Sequence, residues 1–313
     1  MLSEKIRQYQ VKKVKKDLVM EFGDQSDGAV EFIAKVVGGS VETAYFYGDS
    51  KPKNIIVAST QVGCPSKCNF CELGEKAYVK NLSADEILDQ VILMLQQADR
   101  YGHNIDKVKH KINWAKSGDA LLNEHYVSAL ENLADLEFSH KLCSVFPAGR
   151  TIAERFIAVA DFASTYTESF QVQLSLISTS EIYRQKAAGI RTASFQEIRN
   201  AADYWRNQNP EGRKVNLSLI VDGGNPIDTQ TVVEDFPPGL FRFRFRNYVP
   251  TENGSNHGLE QVTEQRFDEI YRMFQDKGYE VGTWASPTPM EVRFGLAANV
   301  TLRRYEHIIA GRM

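Results

Sequence analysis

The chain has 313 residues, 42% of them hydrophobic and 25% charged, with 21 glycines and 10 prolines. That is enough apolar material for one large core, and it excludes collagen-like or wholly disordered chains. With 37 Lys and Arg against 40 Asp and Glu, the formal net charge of -3 argues against a strongly basic nucleic-acid binder, although a local patch could survive.

No stretch approaches the roughly 18 apolar residues that a membrane helix needs, and the opening MLSEKIRQYQVKK lacks a secretory apolar region. The expectation is a cytoplasmic protein without a membrane partner. Its first twenty residues hold Lys5, Arg7, Lys12, Lys13, Lys15 and Lys16 against Glu4 and Asp17. This segment reads as a solvated arm or frayed helix, or else as a contact for an anionic partner.

From Asp17 to Thr60 the pattern turns to strands. DLVMEF, AVEFIAKV, VETAYFYG and NIIVAST are separated by GDQSDG, GGS and DSKPK, whose Gly, Asp, Ser and Pro favour turns. The division expected is a basic arm and small antiparallel β unit over residues 1–53, then a main domain over residues 54–313. A helix begins at Ser83, where Ser83 and Glu86 make a capping box and Ile87, Val91, Met94 and Leu95 follow at helical spacing. Strands over 109–117, 140–147, 171–178, 214–223 and 241–249 then alternate with helices. These helices cover 124–136, 151–164, a segment capped by Ser194 with Glu197, a short piece, and 261–277. A strand YEVGTWAS and a helical tail follow. Such alternation implies right-handed crossovers and a parallel sheet, either a complete or partial (β/α) barrel or a doubly wound sheet. No G-x-G-x-x-G follows a strand, which weakens a dinucleotide-binding reading. In either architecture chemistry belongs at the C-terminal ends of the strands.

Three of the four cysteines lie at such an end, in Val62-Gly63-Cys64-Pro65-Ser66-Lys67-Cys68-Asn69-Phe70-Cys71. A tight cluster in a chain of this type points to metal binding or catalysis rather than to disulfide staples. An iron–sulfur cube normally takes four thiolates. Three would leave one iron open to chelate the amino and carboxylate groups of S-adenosyl-L-methionine, whose reductive cleavage gives a 5′-deoxyadenosyl radical. Zinc is the competitor, but it wants four Cys or His ligands, and neither a second C-x2-C pair nor a histidine in the loop is present. Phe70, just before the third cysteine, suits a water-shielded cluster.

At these residues the chain resembles the radical S-adenosylmethionine superfamily, and within it the branch of 23S rRNA adenine-C2 methyltransferases and their adenine-C8 relatives. STQVGCPSKCNFCELGEKAYVKNLSADEILDQV (59–91) is similar to the signature S-S-Q-x-G-C-x3-C-x-F-C followed by N-L and E-I-x2-Q-V. SGDALLN (117–123) stands where that branch has M-G-E-P-L-L-N. QVQLSLISTSEIYRQK and FRNYVPTENG match two later strand ends more loosely. The resemblance implies an α/β fold, a partial (β/α)6 TIM-like barrel with a small N-terminal antiparallel β unit. It also implies a [4Fe–4S] cluster on Cys64, Cys68 and Cys71, and S-adenosyl-L-methionine contacts from Gly118, Asp119, Ser144, Ser175 and Asn247. An electron donor such as a flavodoxin or ferredoxin is implied with them.

The departures carry as much information. Where the branch keeps a methyl-carrying cysteine this chain has Phe294, in Val292-Arg293-Phe294-Gly295, and where it keeps a resolving cysteine this chain has Val57. Neither side chain is a nucleophile, so methyl transfer through cysteine is not expected. Cys143, on KLCSVFP, reads as a buried structural thiol. Along Phe241-Arg242-Phe243-Arg244-Phe245-Arg246-Asn247 the strict alternation puts arginines on one face and phenylalanines on the other. If Asn247 faces the lumen the arginines lie outside, and that arrangement is the one expected here. Arg293 and Phe294 are the candidate substrate residues, and TENGSNHG (251–258) reads as a solvated loop.

The function expected is that of a radical S-adenosylmethionine enzyme, abstracting hydrogen from a small or nucleotide-like substrate without cysteine-borne methyl transfer. An RNA-modifying enzyme that uses the basic arm ranks second, with RNA a partner not favoured. A non-catalytic zinc or S-adenosylmethionine-binding scaffold ranks third.

Overall fold

The computed structural model describes residues 18–24, 29–48, 53–102, 109–283 and 300–310. Strands β1 (Leu18–Asp24), β2 (Ala29–Val36) and β3 (Gly39–Gly48) form an antiparallel meander that pairs with β4 (Lys53–Ala58). After β4 a two-stranded ribbon, β5 (Gln61–Val62) and β6 (Lys80–Asn81), closes the base of the cysteine loop. Helix α1 (Ala84–Arg100) then starts on the expected capping box of Ser83 and Glu86.

From there strand and helix alternate: β7 (Lys109–Trp114), α2 (Tyr126–Leu133), β8 (Ser139–Ser144), α3 (Arg150–Thr165) and β9 (Phe170–Ile177). Next come α4 (Glu181–Ala188), α5 (Phe195–Gln208), β10 (Val215–Val221), α6 (Thr229–Asp235) and β11 (Phe241–Asn247). The chain continues through α7 (Glu252–Asn256), α8 (Glu264–Asp276), β12 (Val281–Thr283) and α9 (Val300–Ile309). One ten-stranded sheet runs in the order β1-β2-β3-β4-β7-β8-β9-β10-β11-β12 and is parallel from β4 onward. The molecule is therefore α/β, the expected partial barrel, extended at its first edge by the antiparallel strands.

The main core fills the space between sheet and helices. Trp114 of β7 packs edge-on against Tyr126 of α2 at 5.3 Å between centroids, and Phe243 of β11 meets Phe274 of α8 at 4.8 Å. His140 of β8 lies among Trp114, Phe162, Tyr166 and Phe170. Burial pushes its imidazole down to about 3, so it is a neutral core ring.

Two expectations change here. Phe241, Phe243 and Phe245 are the residues beneath the helices, while Arg244 and Arg246 line the lumen. Phenyl rings gain from the dry helix layer, whereas guanidinium groups are tolerated only on the wetter inner wall. By the same alternation Asn247 falls on the phenylalanine face, where its amide donates to the Val262 carbonyl at 3.1 Å. The arginines are therefore inside rather than outside, and Asn247 does not line the cavity.

Candidate functional site

The cysteine loop is held at its base by backbone pairing. Val79 N donates to Val62 O at 2.9 Å and Leu82 N to Thr60 O at 3.0 Å, while the Asn123 amide donates to the carbonyls of Thr60 and Leu82. Gly63 sits at φ +73°, and a Cβ there would lie 2.1 Å from the Ala77 carbonyl oxygen, so only glycine fits. Within the loop Cys71 N donates to Cys68 O at 3.1 Å, and a 3-10 turn over Glu72–Glu75 leads out.

The segment expected as a solvated loop instead clamps this turn from above. Thr251 caps α7, and Asn253, 1% exposed, donates its amide to Cys68 O at 3.0 Å and Cys71 O at 2.7 Å. The Glu252 backbone N–H donates to the Glu72 carboxylate. Arg303 of α9 then bridges Glu72 at 2.6 Å, Glu75 at 3.1 Å and Glu252 at 2.6 Å. Three segments far apart in sequence thus fix the direction in which the thiols face.

That direction is into a cavity of about 520 Å³ lined by Cys64, Cys68 and Cys71, with Gly118, Asp119 and Ser144 also on its wall. Ser175 lines it too, so every expected site residue among the described ones meets there except Asn247. Arg293 and Phe294, like the basic arm, lie outside the described residues. Val57 is on the cavity wall, as is Cys143. Gly118 has φ +100°, with Gln61 side-chain atoms 2.6 Å from where a Cβ would be. This close approach lets Gln61 Oε1 accept from Asp119 N at 3.0 Å. The Asp119 carboxylate accepts from Ser144 Oγ at 2.9 Å, Val145 N at 2.8 Å and Leu121 N at 3.0 Å. Burial raises its pKa to about 6 against those donors.

Behind Asp119, Lys116 is buried with Glu31 of β2 and, at 3.4 Å, Glu42 of β3. Glu42 also accepts from Leu302 N of α9. Sequence reading missed Asn253, Arg303 and Lys116. Each looks like an ordinary polar residue until its distant partners are known.

The thiols themselves test the iron–sulfur reading. Burial pushes Cys64 up to about 12, Asp119 and the Cys71 sulfur add to the push, and the Ser66 backbone N–H and hydroxyl oppose it. Burial also pushes the Cys68 thiol well up, and Cys71, Cys64 and Asp119 add to the push. Three sulfurs that repel one another as thiolates form a ligand set that deprotonates only when positive charge is brought to it. Among the described residues no three His, Cys, Asp or Glu side chains converge tightly enough for a single ion. A cube gripped at separate corners does not need them to. The residues present fit such a cluster.

No family model matches the chain. It is 24% identical over 275 residues to the probable dual-specificity RNA methyltransferase RlmN of Caldicellulosiruptor saccharolyticus, covering 82% of this chain and 72% of that protein. It is also 24% identical over 285 residues to the ribosomal RNA large subunit methyltransferase Cfr of Shouchella clausii, covering 84% and 76%. Its fold is similar to the crystal structure of a radical SAM methyltransferase from Sphaerobacter thermophilus. There the TM-score is 0.75 with 15% identity over 92% of this chain and 83% of the other. No helix among the described residues is long and apolar enough to cross a membrane. Homologous to the RlmN and Cfr proteins and folded as a partial barrel, the chain is a radical S-adenosylmethionine enzyme whose cofactors are a [4Fe–4S] cluster and S-adenosylmethionine.

Proposed function

We propose that Cys64, Cys68 and Cys71 hold the cluster, that Gly118, Asp119, Ser144 and Ser175 bind S-adenosylmethionine, and that the enzyme modifies a nucleotide of RNA without a cysteine-borne methyl group. The observation that carries this reading is the meeting of the buried thiols of Cys64 and Cys68, the half-buried thiol of Cys71 and the anchored Asp119 on one cavity wall. RNA ranks second from the residues alone. It moves to first place because relatives aligned along more than four-fifths of the chain are named as RNA methyltransferases. Against a cysteine-borne methyl stands the cysteine count, since beyond the loop only Cys143 remains among the four.

When bound together, cluster and S-adenosylmethionine supply a 5′-deoxyadenosyl radical for hydrogen abstraction. The protein's part is positioning and exclusion of water. The Asp119 carboxylate, fixed by Ser144 and Val145, presents negative charge to an ammonium group. Gly118 brings its backbone close to a ligand because no Cβ intervenes. Phe70, Leu73 and Tyr248 add apolar wall beside the thiols. A reductant of flavodoxin or ferredoxin type and a cytoplasmic setting belong to the same reading. A free nucleotide-like molecule is the second reading, favoured by a cavity volume in the range of small-ligand pockets.

Anaerobically reconstituted protein given dithionite and S-adenosylmethionine should release 5′-deoxyadenosine, and Cys68→Ala should abolish the release. Equal release from Cys68→Ala would overturn the ligand assignment. Salt-dependent binding of rRNA or tRNA fragments should accompany it; RNA that neither binds nor changes would leave the free nucleotide as substrate.

A further inference from the structure

Gln173 lies on β9 two residues before Ser175, and both line the cavity, so they share the inner face of the strand. That spacing sets the Gln173 amide about 7 Å deeper in the lumen than Ser175. Its register partners are Cys143 of β8, which also lines the cavity, and Asn216 of β10. Gln173 is 8% exposed, and its Oε1 has no hydrogen-bond partner. Asn113 Oδ1 of β7, on the same wall, is in that condition too. Asn216 is fully buried, with neither polar atom of its amide matched.

Charge does not account for this group. Lys116 of the wall is matched by Glu31 and Glu42, and Lys141, Arg244 and Arg246 have interactions of their own. The three amides are neutral, and each combines an acceptor oxygen with a donor nitrogen on one plane. Buried acceptors are rarely left unmatched, and the cost of leaving them so rises in a dry interior. An apolar ligand would leave that cost in place, and an anion would bring only acceptors against the Gln173 oxygen. A ligand with an N–H and an acceptor side by side answers both halves of the amide. The edges of nucleobases are built in this way.

We propose that Gln173 reads the substrate's nucleobase: its carbonyl oxygen accepts from an N–H of the base while its amide nitrogen donates to the acceptor beside that N–H. Asn113, two strands away in the sheet, is a second acceptor on the wall. The inference deepens the reading of a nucleotide as substrate and rests on it. An amide that turns over serves adenine, whose N–H is exocyclic, and equally hypoxanthine, whose N–H is in the ring. A bare purine ring offers the acceptor alone and leaves the Gln173 oxygen unmatched, so a site of this kind rejects it.

The probes are the 5′-monophosphates of adenosine, inosine and purine riboside, with those of cytidine and pyrimidin-2-one riboside as the single-ring pair. Each is titrated anaerobically into the reconstituted full chain saturated with S-adenosylmethionine, so that the cofactor's own adenine site is closed to them. In the parent the bare ring should bind about tenfold or more weakly than the best base of its class. In Gln173→Leu that ratio should fall to about one, while affinity for S-adenosylmethionine stays within about twofold of the parent. Leucine in place of an unmatched buried amide is close to neutral for folding, and the thermal midpoint checks this. Should the variant not fold, the ratio in the parent still decides. A parent that binds all probes alike, or none, would overturn the proposal and leave water as the occupant of the lumen floor. A ratio that survives in Gln173→Leu would overturn it by giving the recognition to another residue. So would a parallel loss of S-adenosylmethionine affinity, which would assign the amide to the cofactor's adenine. Preference for adenosine or cytidine identifies an exocyclic amino group, and preference for inosine a ring N–H; both support base reading by Gln173. Failure of the parent protein to release 5′-deoxyadenosine would strike the cofactor reading and leave these ratios standing.

Discussion

At Asn253 a single side-chain amide donates to the carbonyls of Cys68 and Cys71 and so ties the cysteine loop to α7. Replacing it with alanine leaves two carbonyls without that donor. The expected cost is about 1–3 kcal/mol, read by urea denaturation, together with faster loss of iron to a chelator. Asn253→Asp should be no better, because a carboxylate accepts where the loop needs a donor. Iron retained at the parent rate by both variants would show that α7 does not hold the loop. The cysteines could be recognised from their spacing alone, because a C-x3-C-x2-C run has few other chemical uses. Asn253 could not. Its partners are 185 and 182 residues away, and TENGSNHG has the composition of any polar turn.

Among the elements, the antiparallel edge is tied to the site by charge. Glu31 of β2 and Glu42 of β3 meet Lys116, which leads from β7 into Gly118 and Asp119. Lys116→Met would leave two buried carboxylates without their cation, at a cost of about 3–5 kcal/mol. Glu31→Gln in the same background should recover part of the loss, and a double-mutant cycle measures the coupling. An additive cycle would mean that the three charges act independently. The capping boxes at Ser83 and Ser194 were visible because donor and acceptor are three residues apart. Helix α4, capped by Ser180, went unrecognised because its exposed, polar stretch offers little periodicity. The face chosen by β11 was also misjudged. Alternation shows that phenylalanines and arginines separate, but only the position of α8 decides which side is dry.

Across the whole molecule, the large core between sheet and helices excludes the thiols, which pack in two small separate clusters around the loop. Loss of the metal should therefore be a local event. Chelated protein should keep its far-ultraviolet circular dichroism, while amides of residues 64–75 exchange faster with deuterium. Global unfolding on iron removal would contradict this separation of core from site. The alternating order of strands and helices and the thiol motif were legible in short-range patterns of two to four residues, which need no knowledge of the rest of the chain, whereas the choice of a barrel over a doubly wound sheet came only with the family resemblance. The anchoring of the loop, the pairing of Lys116 and the cationic lumen were settled only on folding. Each depends on contacts between segments brought together by the curvature of the sheet, and a side chain's partner across that space leaves no mark on its neighbours in sequence.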